Sequence, residues 1–259
     1  MRILFKNSRC IFLTLSLCIL SFTINAAPSY YQIKVYYFKN KEQESRLNQY
    51  FEKAFVPAAH RAGITRVGIF KSFDEDTLRR FFVFVPVQSL SELEKFEQKL
   101  SADQLYIKEG SDFIQAGYKN SPYKRIETIL LRAFPNMTEP ALSGLTGNKA
   151  DRFYELRSYE SPTEKYYAQK VKMFNTGGEI NIFKRLNFNA IFYADVIAGA
   201  HMPNLMYLTT FNNKADRDKH WKDFDGDSEW QVLKAKDEYQ NTISGAELIF
   251  LHPTAYSDF

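Results

Sequence analysis

Hydrophobic and polar positions along the chain change period in a regular order. At residues 31–36, YQIKVY, side chains alternate as on a β-strand. The period then lengthens: Leu47, Tyr50, Phe51, Ala54 and Phe55 fall at helical spacing, Pro57 restarts the helix and Gly63 ends it. Two further strands follow, ITRVGIF at 64–70 and RRFFVFVPV at 79–87. Ser89 with Glu92 opens the next helix, and RIETILLRAF at 125–134 reads as a closing strand. The order is β-α-β-β-α-β.

The same order returns. YELRSY at 154–159 matches YQIKVY at an offset of 123 residues: both read Tyr, Gln or Glu, Ile or Leu, Lys or Arg, any residue, Tyr. Ser161-Pro162-Thr163-Glu164 has the form of a capping box, Tyr167, Val171 and Phe174 continue one helical face, and Gly177-Gly178 interrupts it before Ile180, Phe183 and Leu186. Strands follow at 190–199 and 205–211, then a helix opened by Asn213 with Asp216, then a strand at 247–253. Both closing strands contain Glu, one residue, Ile, one residue, Leu. The expected fold class is α+β: tandem βαββαβ ferredoxin-like modules at 27–134 and 151–259, each a four-stranded antiparallel sheet with helices on one face. The linker, 135–150, is rich in Pro, Gly, Ser, Thr and Asn.

Alternation assigns the faces. Tyr31, Ile33 and Val35, like Tyr154, Leu156 and Ser158, form small or apolar sets suited to the helix-covered side. Gln32, Lys34 and Tyr36, like Glu155, Arg157 and Tyr159, form the opposite, mixed set. The expectation is that the two helix-free faces meet and that the mixed residues line the space between them.

The amino terminus changes the charge balance. Lys6 and Arg9 precede an apolar run from Cys10 to Ile24 that closes on Asn25-Ala26-Ala27, which reads as a secretory signal peptide over 1–26. Fifteen helical residues reach about 22 Å, short of a ~30 Å hydrocarbon core, so a stable membrane anchor is not expected after cleavage. Arg2, Lys6 and Arg9 would leave without an acid, turning 34 basic against 30 acidic residues into 31 against 30. The formal +4 then becomes +1, and no nucleic-acid partner follows from charge. Cys10 and Cys18 would leave too, so the mature chain would have no thiol for a disulfide, a metal site or a nucleophile, as suits a periplasmic or secreted protein. The 23 Phe, 16 Tyr and 2 Trp of the chain call for a large core or an aromatic cavity. P-loop, G-x-S-x-G and HExxH signatures are absent.

The segments YELRSY, GGEINIFKRLNFN, PNLMYLTTF, HWKDFDGDSEW and HPTAYSDF resemble the NIPSNAP family, most closely from 152 to 259 and more weakly from 30 to 134. That resemblance implies a duplicated ferredoxin-like module of the dimeric α/β-barrel group, with sheets facing each other either within one chain or across a homodimer. The group includes cofactor-free oxygenases and haem-handling proteins, so the resemblance implies a fold more than an activity.

Candidate ligand-binding residues are Glu155, Arg157, Tyr159, Tyr193, His201 and Tyr207. Glu155 and Arg157 would orient a polar group and Tyr159 would donate a hydrogen bond. The rival reading of Glu155 and Arg157 is a structural ion pair. His201, in the loop AGAHMPN, stands out among the four histidines. The expected function is binding of a small, partly aromatic molecule or a protein partner. The alternatives are a cofactor-free oxygenase or isomerase in which Arg157 holds a carboxylate or enolate and Tyr159 or His201 moves a proton, or a haem-binding protein with His201 as axial ligand. No metal site and no other cofactor are expected.

Overall fold

The computed structural model describes residues 29–259. The signal-peptide reading of 1–26 lies outside the described residues. Eight strands, β1 Tyr30–Tyr37, β2 Gly68–Ser72, β3 Arg80–Val87, β4 Arg125–Ala133, β5 Phe153–Glu160, β6 Ala190–Ala198, β7 Asn204–Phe211 and β8 Gly245–Pro253, close into one barrel. Their order around it is β1-β3-β2-β8-β5-β7-β6-β4, and all neighbours are antiparallel. Read by halves, the order is β4-β1-β3-β2 and then β8-β5-β7-β6. The halves join edge to edge through β2–β8 and β4–β6, within a single chain.

The helices stand outside. In the first half they are α1 Lys41–Tyr50, α2 Val56–Ala62, α3 Leu90–Ala102, α4 Gln104–Glu109 and α5 Ser111–Ile114. A π-helical turn, Phe51–Phe55, joins α1 to α2 without a break, and Pro57 occupies the first turn of α2. Gly63 ends that helix at φ +102°, a left-handed conformation that glycine adopts freely. The second half has α6 Glu164–Phe174, α7 Glu179–Arg185, α8 Lys214–Gly226 and α9 Ser228–Lys234. The Ser89 and Asn213 caps form as the pattern predicts, accepting from the backbone N–H of Glu92 and Asp216. The box at Ser161–Glu164 does not: Thr163 is the N-cap with no side-chain bond, and Ser161 Oγ donates instead to the Thr242 carbonyl at 2.8 Å.

The assignment of faces is the reverse of the expectation. Tyr31, Ile33, Val35, Tyr154 and Leu156 point into the barrel, where they join Phe70, Phe82, Phe84, Phe192 and Met206 in one core. Phe84 and Phe192 stack at 5.0 Å between centroids, and Tyr31 lies 5.2 and 5.3 Å from them. Phe259, 1% exposed, packs against Phe84 and fills that end. Gly68 makes room for the Phe70 ring, since a Cβ there would lie 2.6 Å from it. A closed eight-stranded barrel is just wide enough for side chains to fill, so the inward row takes the bulky apolar set. The opposite rows face the helices, including Tyr36, Val83 and Val85 in the first half and Tyr193, Leu205 and Tyr207 in the second.

Phe192→Ala, at a fully buried position, should lower stability by about 3–5 kcal/mol, read as a drop in the urea midpoint at unchanged slope.

Candidate functional site

Glu155, Arg157 and Tyr159 lie beneath the second half's helices and not in a cavity. Glu155 has no exposed surface. It accepts from Arg157 Nε at 2.7 Å, from Arg217 Nε and Nη2 at 2.8 Å and from Trp221 Nε1 at 2.6 Å. Arg157 stacks on Trp221 at 3.5 Å and donates to Tyr159 Oη at 2.7 Å, and the Tyr159 and Tyr207 hydroxyls are 3.0 Å apart. Burial opposes the charge of Arg157, but Tyr207, Tyr159 and Glu155 outweigh it and raise its pKa. Burial likewise pushes the Tyr193 and Tyr207 phenols up. Donors carried on α8 satisfy Glu155, so the structural ion pair is the better account of this cluster. The row carrying Glu155, Arg157, Tyr159, Tyr193 and Tyr207, expected to line the space between sheets, faces α6–α8, and none of the five lines a cavity described below.

His201 sits elsewhere, at one open end of the barrel. That end holds a pocket of about 570 Å³. The inward rows create it. On six of the eight strands the inward row turns polar at this end: Tyr37 ends β1, Arg80 starts β3, Glu127 lies on β4, Ser158 and Glu160 end β5, Asn204 starts β7 and Glu247 lies on β8. The register sets them side by side on one face, with Tyr37 opposite Arg80, Ser158 opposite Glu247 and Glu160 opposite Asn204. Val35, Phe82, Ile129, Met206 and Ile249 form the apolar floor. The β6–β7 loop, Gly199–His201, closes over the rim, and His201 takes φ +62°.

The charges at the mouth are unequal. Arg80, 5% exposed, donates to Glu247 Oε1 at 2.7 Å and to Asp76 Oδ2 at 2.9 Å. Burial would lower its pKa, yet these two carboxylates raise it above the ordinary value. Tyr37 donates to Glu127 Oε2 at 3.1 Å, and burial, then Glu127, push its phenol up. His201 Nδ1 lies 3.0 Å from Glu160 Oε1. The lining therefore carries Glu127, Glu160 and Glu247 against one permanent cation, Arg80. Two buried polar atoms of lining residues, Arg80 Nε and Asn204 Oδ1, have no partner in the protein. Unpaired buried groups of this kind cost free energy unless something else satisfies them.

A haem does not fit these residues. The His201 side chain is 67% exposed on the rim, and the three glutamates would face the haem carboxylates. Among the described residues, no group of three His, Cys, Asp or Glu side chains is placed to hold a metal ion, and no helix is long and apolar enough to cross a membrane. His201 and Arg157 do not converge, whereas Arg157 and Tyr159 do, at 2.7 Å. The missed residues had a legible signal: the inward row of strand after strand turns polar at the same end.

Two further cavities are open grooves. One, of about 1020 Å³, runs between α6 and β4/β6, where Asp195 bonds to Tyr167 and Arg132. The other, of about 850 Å³, lies outside the β2–β8 seam beside Phe73, Phe250 and His252.

Two outcomes follow from these clusters. Glu155→Ala leaves Arg157 and Arg217 without their shared carboxylate and should cost about 3–5 kcal/mol in urea unfolding, part of which Arg157→Met restores. For His252, burial and then the Lys71 ammonium lower the imidazole pKa below 6.5, against weaker opposing effects of Asp74 and Glu44. A folded pKa below the unfolded one gives stability that is complete above about 6.5 and falls as pH drops through the folded value. The wild-type urea midpoint should thus fall more between pH 7 and pH 5 than that of His252→Gln.

No curated protein sequence matches the chain. Among solved structures, a Lactobacillus acidophilus protein assigned as a monooxygenase is similar over 87% of this chain and 94% of its own, at 10% identity and TM-score 0.56. A Fusobacterium nucleatum protein assigned likewise is similar over 88% and 93%, at 10% identity and TM-score 0.56. Likeness at that identity speaks to the fold, a mixed α/β antiparallel barrel. A NIPSNAP family protein from Agrobacterium tumefaciens aligns over 45% of this chain and 98% of its own, at 19% identity and TM-score 0.38. The NIPSNAP family profile itself matches residues 154–258.

Proposed function

We propose that this protein binds a small organic cation with an apolar body at the polar mouth of its barrel. The carrying observation is the pocket of about 570 Å³ in which three glutamates surround one already paired arginine over an apolar floor. The volume suits a small molecule. The floor of Phe82, Met206, Val35, Ile129 and Ile249 takes the apolar body, and Glu127, Glu160 and Glu247 take the charge. Asn204 Oδ1 is a spare acceptor beside it. On this reading the two halves, with their matching strand order, are copies of one duplicated module. The leader read at residues 1–26 exports the protein to the periplasm or beyond.

Calorimetry with phenethylamine and phenylacetate tests the reading. The amine should bind and the acid should not. Replacing both Glu127 and Glu160 by Gln should weaken the amine about ten-fold or more, equivalent to ~1.4 kcal/mol. Equal or tighter binding of phenylacetate would overturn it.

A further inference from the structure

The mouth pocket shares part of its lining with the seam groove. β2 pairs with β8 only over Phe70–Ser72, opposite Leu251–Pro253, although β8 begins at Gly245. From Gly245 to Ile249 the β8 edge on that side has no strand partner among the described residues. The β2–β3 turn, residues 73–79, runs beside that edge: Phe73 N–H donates to the Phe250 carbonyl at 3.4 Å, and Arg80 bridges Asp76 and Glu247.

The seam groove lies outside this edge and shares three lining residues with the mouth: Leu78, Arg80 and Glu247. Its wall is aromatic, with centroids 5.1 Å apart for Phe73 and Phe153, 5.2 Å for Phe153 and Phe250, and 5.3 Å for Phe73 and His252. Leu78 and Leu248 stand beside these rings 46% and 45% exposed. The groove's charges nearly balance: Glu75, Asp76, Asp151 and Glu247 face Arg80, Arg152 and Lys214. It therefore selects for apolar surface more than for charge. Polar atoms are left over here too. Arg80 Nε, at the junction of the two cavities, and Arg152 Nε in the groove are buried without a partner.

We infer that mouth and groove form one bipartite site for a secondary ammonium with two apolar arms. This rests on the cation reading of the mouth. One arm lies on the mouth floor and the nitrogen sits at the rim among Glu127, Glu160 and Glu247. The second arm crosses Leu78 and the Arg80–Glu247 pair and ends in a ring against Phe73, Phe153 and Phe250. A ring is the fitting terminus because aromatic partners gain from tilted or offset packing beyond area alone. A group that accepts a hydrogen bond within the second arm would meet the unpaired Arg80 N–H.

Calorimetry on the purified protein separates the two parts of the site. The probes are N-methylphenethylamine, N-benzylphenethylamine and N-(phenylbutyl)phenethylamine, all cations of the same charge. Affinity should rise about ten-fold or more from the methyl to the best aryl-armed probe. Phe250→Ala should remove most of that gain while the methyl probe binds as before. Leu248→Ser, at an exposed position, is the second variant should Phe250→Ala fail to fold, and it should reduce the same gain. No gain from the aryl arm, or a gain untouched by the folded variants, overturns the bipartite site and leaves the mouth reading standing. Failure of the methyl probe to bind, with no effect of the Glu127 and Glu160 substitutions, overturns the mouth reading itself.

Discussion

Closure of eight strands into one barrel governs what every other residue can do. The ring of strands leaves an interior that side chains alone can fill, so one face of each strand must deliver bulky apolar groups inward. Tyr31, Phe84, Phe192, Phe70 and Tyr154 do this at one end, and Phe259 packs among them. Polar residues on the same strands are then driven outward, beneath the helices. Burial there is tolerable only because the helices bring partners: Arg217 and Trp221 on α8 reach Glu155.

The mouth and the Glu155 cluster are both ionic, yet they differ in whether the protein completes them. Around Glu155, four donor atoms from Arg157, Arg217 and Trp221 converge on two carboxylate oxygens, and the Trp221 ring closes over Arg157. Such a network constrains how α8 sits on the sheet and leaves nothing for a ligand to take up. At the mouth, acids outnumber cations, Glu127 and Glu247 keep exposed surface, and Asn204 Oδ1 and Arg80 Nε lack partners. Incomplete pairing beside a cavity, more than the presence of charge, distinguishes a binding site from a brace.

Element order and most boundaries were legible because period two and period 3.6 are distinct over these lengths. β3 expected at 79–87 is found at Arg80–Val87, and β7 expected at 205–211 is found at Asn204–Phe211. The facing was misread because the mixed row on β5 was assigned to the space between sheets. Two strands held the opposing clue. RFFVFVPV and NLMYLTTF are almost wholly buried on both faces, as strands covered by helices outside and a packed barrel inside must be. With dry packing on both sides, the barrel interior opens where inward rows end, and there Arg80, Asn204, Glu160 and Glu247 stand together. That convergence depends on register between distant strands, which local periodicity does not carry.

The halves share one strand order but not one set of lengths, and this difference singles out one side of the mouth. β2 runs five residues and its counterpart β6 runs nine. At the β4–β6 seam, the chain leaving β6 folds back over the rim through Gly199, where an added Cβ would lie 3.4 Å from Ile129, so the wall stays covered. At the β2–β8 seam, β2 stops at Ser72, the Arg80–Glu247 pair lines both cavities, and aromatic surface lies in the outer one. An arm extending from the mouth pocket thus meets packed chain on one side and an ion pair backed by rings on the other. The short strand gives the barrel a direction that its matching strand orders would not.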